Sequence, residues 1–125
     1  AKKMNLESKI LWIKFIDDLK NFYKVIDIFV LTSKFEGLGL VFLEAMLSKK
    51  PVISSNSSAM REIIKNNFNG YLVKLDDPIS LSKAIFKLKN QKIRQRFGIN
   101  GYNFVKKKFS ITKMYNETQK IYLNK

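Results

Sequence analysis

The stretch Phe35-Glu36-Gly37-Leu38-Gly39-Leu40-Val41-Phe42-Leu43-Glu44-Ala45-Met46 decides how the rest of this sequence is read. Its first half is a loop with two glycines. Its second half is a helix whose apolar residues fall on every side, the pattern of a buried helix. Glu44 stands about one turn inside that helix, and a buried carboxylate is costly unless a strong donor meets it. Gly37 and Gly39 let the backbone approach something closely, just ahead of the free amides of a helix start, a geometry suited to phosphate. Each feature alone has a structural explanation. Glu36 can favour the helix dipole, the glycines can shape a turn, and Glu44 can satisfy a lysine or an amide. Two carboxylates bracketing a Gly-x-Gly at a strand-to-helix junction favour function.

Working outward, short β-rich runs alternate with helical patterns. Asp27 to Thr32 reads as a strand covered on both faces, so the glycine loop leaves its carboxyl end, where open α/β sheets bind ligands. Upstream, Ile10-Leu11-Trp12-Ile13 reads as a first strand. Asp17 or Asp18 then caps a helix through Leu19, Phe22, Tyr23 and Ile26. Downstream, Pro51 ends the helix from Leu40 and opens the strand Val52–Ser55. A short helix from Ala59 to Lys65 follows, then the turn Asn69-Gly70 and the strand Tyr71–Val73. Asp76-Asp77-Pro78 starts a helical run from Ile79 to Lys89 and Lys92 to Lys108. Ser110 caps a last helix carrying Ile111, Met114, Tyr115 and Tyr122. The expectation is an α/β fold: a parallel sheet of about four strands with flanking helices and right-handed crossovers.

Composition narrows the chemistry. The chain has 125 residues, which suits one domain, and contains neither cysteine nor histidine. Disulfides, thiolate metal sites, Cys nucleophiles and His-based catalysis are excluded, and no metal site is expected. The net charge is +14, and residues 81–125 hold 12 basic side chains against the single acid Glu117. Such asymmetry points to an anionic partner. Of the 24 basic residues 21 are lysine, so a lysine-rich coding bias is a competing source. No apolar stretch approaches the roughly 20 residues a bilayer demands, and no signal-peptide pattern is visible.

Glu36 and Glu44, embedded as EGLGLVFLEAM, closely resemble the E-x7-E signature of group 1 (family 4) retaining glycosyltransferases with the GT-B fold. The neighbourhood agrees. Asp27 to Ser33 resembles the family's D-V-F-V-x-P-S strand, with Thr32 in place of Pro. Lys50 to Ser55 resembles x-P-V-I-A-S, with Ser54 in place of Ala. Arg61-Glu62-Ile63-Ile64 followed by Asn69-Gly70-Tyr71-Leu72-Val73 resembles P-E-I-I…N-G-x-L-V, and Phe109-Ser110 resembles the F-S/T-W near the domain end. Trp12 to Leu19 resembles F-L-G-F-x-D-D-L.

The resemblance implies a Rossmann-like, partial GT-B C-terminal domain over residues 1–125, with a nucleoside-diphosphate sugar as donor substrate and no separate cofactor. It implies that Glu44 hydrogen-bonds the donor ribose and that Glu36 sits beside the transferred sugar as the catalytic carboxylate. Gly37, Leu38, Gly39 and Leu40 would line the diphosphate through their backbone. Nothing between Ala1 and Leu11 resembles the family's G-R-x…K pair, and no N-terminal acceptor domain is present, so the sequence looks like a fragment that is inactive alone. Its expected partners are the donor, the missing N-terminal domain or a complementary chain, and an anionic membrane at the inner face of which a cytoplasmic protein would work. Two other readings are a basic nucleic-acid-binding module and a non-catalytic interaction module. The first is disfavoured because Phe86, Phe97 and Phe104 fall at spacings typical of core, so no nucleic acid is expected.

Overall fold

The structure, a computed structural model, describes residues 2–34 and 39–109. Strand and helix alternate as the sequence pattern demands. The order is α1 (Leu19–Val25), β1 (Phe29–Leu31), α2 (Leu40–Leu47), β2 (Val52–Ser55), α3 (Ser58–Ile63), β3 (Gly70–Val73), α4 (Pro78–Lys87) and α5 (Gln91–Lys108). Two short 3-10 turns, Lys2–Met4 and Glu7–Lys9, precede them. The sheet is parallel with order β1-β2-β3, and Val30 pairs with Ile53, which pairs with Tyr71.

Polar residues placed ahead of α1, α3, α4 and α5 explain where those helices begin. Asp18 accepts the Asn21 amide, and Ser57 accepts that of Met60. Asp77 accepts the amides of Ile79 and Ser80 with Pro78 in the first turn, and Asn90 accepts that of Ile93. Each cap satisfies donors that the helix itself leaves unpaired.

The central strand β2 is buried along its whole length. Adjacent strand residues point to opposite faces, and β2 divides the core accordingly. Val52 packs with Phe42, Leu43, Ala45 and Met46 of α2 and with Met60 and Ile63 of α3. Ile53 packs with Tyr71, Val73, Ala84 and Leu88, together with Phe97 of α5. Helices α2 and α3 therefore share one face, as right-handed crossovers require, and α4 covers the other. Helix α5 contributes to both clusters through Phe97 and Val105. Asn69 is fully buried. Its Nδ2 donates to the Ile63 carbonyl (3.1 Å) and its Oδ1 accepts the Lys65 amide (2.8 Å), tying the end of α3 to the start of β3.

Three expectations are corrected. The described sheet has three strands, and Ile10–Ile13 is an irregular segment with Leu11 82% and Trp12 79% exposed. A strand exists only when a neighbour takes up its backbone groups, and among the described residues nothing pairs with the outer edge of β1. Helix α2 is not buried all round, since Leu40, Val41 and Leu47 face outward. Phe86 is exposed on α4 rather than part of the core, while Phe97 is fully buried and Phe104 packs against the first cluster. The expected last helix from Ser110 lies outside the described residues.

Candidate functional site

The site is built where β1 hands over to α2. Strand β1 ends at Leu31, and the Ser33 carbonyl accepts a 2.6 Å hydrogen bond from the Ser55 hydroxyl, which pins the beginning of the loop to the end of β2. At the far end of the loop Gly39 caps α2 with φ 63° and ψ 43°, in the left-handed region. Its carbonyl accepts the Phe42 amide at 2.9 Å, which starts the helix. Glycine is required there on two counts. The backbone conformation disfavours any side chain, and a Cβ would sit 2.8 Å from Met60 Cε and 3.1 Å from the Phe42 ring. Among the described residues no side chain caps this helix. Among those residues the first-turn amides of Leu40 and Val41 thus meet no capping side chain, unlike the starts of α1, α3, α4 and α5, whose caps are side chains.

Glu44 lies one turn further in. It is half-buried and shares an outward stripe with Leu40, Val41 and Leu47. The donor that makes this position tolerable comes from α1. The Tyr23 hydroxyl lies 3.2 Å from Glu44 Oε2 and 3.2 Å from the Val41 carbonyl oxygen. Tyr23 is only 4% exposed, and its ring packs edge-on to Phe22 at 5.5 Å and beside Phe29 at 6.0 Å. Phe29 in turn meets Phe42 of α2 at 5.4 Å. Burial, together with the neighbouring Glu44 charge and hydrogen bond, pushes the Tyr23 phenol up to about 12.

Of the residues singled out in the sequence, Gly39, Leu40 and Glu44 are brought together at the start of α2, and Glu36, Gly37 and Leu38 lie outside the described residues. Tyr23 was legible only as a helix-spaced aromatic. Its one distinguishing mark is a hydroxyl beside Phe22, where a second Phe would have filled the core as well. A cleft of about 310 Å³ opens on the other face, lined by Thr32, Val73, Lys74, Asp76, Asp77, Pro78 and Leu81. It contains none of the candidate residues, and its carboxylates are ill suited to a diphosphate. Among the described residues no group of carboxylates could hold a metal ion, and no helix is long and apolar enough to cross a membrane.

Comparison with known proteins gives the family. The sequence profile of the family described as "Glycosyl transferases group 1" matches residues 1–104. The chain is 31% identical over 121 residues to the UDP-Gal:alpha-D-GlcNAc-diphosphoundecaprenol alpha-1,3-galactosyltransferase of Escherichia coli, covering 97% of this chain and 31% of that protein. It is 32% identical over 111 residues to the capsular polysaccharide biosynthesis glycosyltransferase CapM of Staphylococcus aureus, covering 88% of this chain and 29% of CapM. Among solved structures, the C-terminal domain of the group 1 family protein LpcC from Francisella tularensis superposes with a TM-score of 0.76 at 34% identity, covering 88% of this chain and 58% of that one. The chain spans about a third of the length of these curated relatives. It belongs to the group 1 glycosyltransferases, and what it matches is their C-terminal domain.

Proposed function

We propose that this chain is the donor-binding part of a retaining glycosyltransferase and holds a nucleoside-diphosphate sugar at the start of α2. The observation that carries the reading is the glycine-capped, open N-terminus of α2 with the Tyr23-bonded Glu44 one turn behind it. Free amides at Gly39 and Leu40, with Gly37 and Leu38 preceding them, suit the diphosphate, where they would stabilise the charge of the departing nucleotide. The Glu44 carboxylate accepts the ribose hydroxyls. Glu36, separated from Glu44 by seven residues in the sequence, attends the transferred sugar and the positive charge that develops as its bond to phosphate breaks. The chain spans about a third of the length of its curated relatives, and the reading assigns to it the donor side of the reaction alone.

Titration of UDP- and GDP-sugars followed by amide NMR tests the reading. Wild type is expected to shift residues 36–44, and Glu44→Ala to lose those shifts. Equal behaviour of the two proteins would remove Glu44 from the site.

We also propose peripheral contact with an anionic membrane on the cytoplasmic side. The support lies in α4 and α5, where residues 78–109 carry nine basic side chains and no acidic one. On α4, Ile79 and Phe86 are 66% and 69% exposed on the side away from buried Ala84 and Leu88, with Lys83 between them and Lys89 Nζ 5.2 Å over the Phe86 ring. Apolar tips flanked by lysines suit an interface with anionic lipid. Co-sedimentation with phosphatidylglycerol vesicles, weakened in Phe86→Ser, is the expected result; equal partition to phosphatidylcholine vesicles contradicts it.

A further inference from the structure

We infer that Tyr23 is a positioning residue of the donor site: its hydroxyl donates to Glu44 Oε2 and holds the carboxylate in place to receive a ribose diol. This rests on the reading of Glu44 given above and adds to it a residue from a different helix.

The geometry leaves little freedom for the phenol proton. The Tyr23 hydroxyl has one proton and two acceptors, Glu44 Oε2 and the Val41 carbonyl, each at 3.2 Å. A proton aimed only at Val41 would leave the phenol oxygen facing a carboxylate oxygen, lone pair against lone pair. The charged acceptor is also the stronger one. The proton is therefore shared toward Glu44, and the carbonyl takes the remainder.

What this achieves follows from the inventory of acceptor sites. A carboxylate offers about four lone-pair positions. Tyr23 occupies one, on Oε2, and Oε1 is left to accept hydroxyl donors from a ligand. A glutamate on a helix surface otherwise explores several rotamers, and fixing it at the moment of binding would cost affinity. Here the fixing is done beforehand by a rigid ring. Tyr23 is held by Phe22 and Phe29, and through Phe29 by Phe42 of α2 itself. The Asp18 cap sets the start of the helix that carries it. Glu44 is thus braced by its own helix and by α1, both packed with Phe29 of β1 in one cluster. The phenol stays a donor through the physiological range because burial and the Glu44 charge raise its titration to about 12.

A tyrosine that merely filled the core would make the same ring contacts, and its hydroxyl would be expendable. Tyr23→Phe separates the two roles, because it keeps the ring and removes the hydroxyl. The measurement is binding of UDP and of 2′-deoxy-UDP to the 125-residue chain by NMR titration, in wild type, Tyr23→Phe and Glu44→Ala. Wild type is expected to prefer UDP by about tenfold, the weight of one charge-assisted hydrogen bond. Glu44→Ala should bring the preference to unity, and Tyr23→Phe should reduce it severalfold. A preference abolished in Glu44→Ala yet intact in Tyr23→Phe overturns the role of Tyr23 alone. No preference in wild type overturns the reading of Glu44 and this inference with it. Should Tyr23→Phe fail to fold, the ¹³Cζ titration of Tyr23 decides: it should fall below about 12 in Glu44→Ala, while burial still holds it above the ordinary phenol value. An unchanged titration shows that the two groups are not coupled and overturns the proposal.

Discussion

Gly98 of α5 lies directly against the carbonyl oxygen of Lys49, and a Cβ added there would fall on that oxygen. Lys49 is itself in the left-handed region (φ 57°), in the turn that leads from α2 into Pro51 and β2. The oxygen is backbone and cannot swing aside, so α5 would have to move off α2. Gly98→Ala is expected to cost about 3 kcal/mol, read as a lower midpoint in urea unfolding. Gly101→Ala, whose Cβ would meet the Met46 side chain at 3.0 Å, should cost clearly less because a methionine can change rotamer.

Ser54 is fully buried on the central strand, and its hydroxyl has no hydrogen-bond partner among the described residues. It faces the same side as Val52, toward α2 and α3. A buried hydroxyl without a partner opposes folding. Ser54→Ala should raise the stability by about 1 kcal/mol. A loss of stability of that size would mean the hydroxyl has a partner after all.

The caps make stability depend on acid. Hydrogen bonds from the Ser80 and Ile79 amides hold the Asp77 carboxyl below its ordinary value of 3.8, and the Asn21 amide does the same for Asp18. A carboxyl depressed by folding stabilises the native state above its unfolded value and loses that contribution as pH falls through the folded one. Thermal midpoints should therefore decline as pH drops below 3.8. Asp77→Asn, which keeps an acceptor but not the charge, should flatten the decline.

The segment Ile10–Ile13 carries the residues of a strand without the pairing of one. With Trp12 79% exposed, Trp12→Ser should leave the unfolding free energy of this chain within about 0.5 kcal/mol of wild type. A loss of several kcal/mol would place Trp12 in the core.

That segment also shows where sequence reading stops. β1, β2 and β3 were legible because Asp27, Pro51 and Gly70 punctuate apolar runs that find each other in the folded chain. Ile10–Ile13 has the same local character, but pairing is a property of neighbours, and the described residues give it none. Helix α2 was legible as a helix, yet its outward stripe of Leu40, Val41 and Leu47 was not, because an all-apolar pattern hides which side is covered. The E-x7-E spacing announced Glu44 at once. Tyr23, 21 residues away in sequence, could not announce itself, since only the fold brings its hydroxyl to the carboxylate. Asn69 read as a turn residue and proved to be a buried tie between α3 and β3.

A protein of charge +14 will attract any nucleoside diphosphate weakly, so binding alone is a poor test of where the donor sits. The direct measurement is the set of intermolecular NOEs from the ribose protons of bound UDP. The account predicts contacts to the side chains of Glu44, Leu40 and Val41 on the outward stripe of α2. Ribose contacts confined to the lysines of α4 and α5 would contradict it.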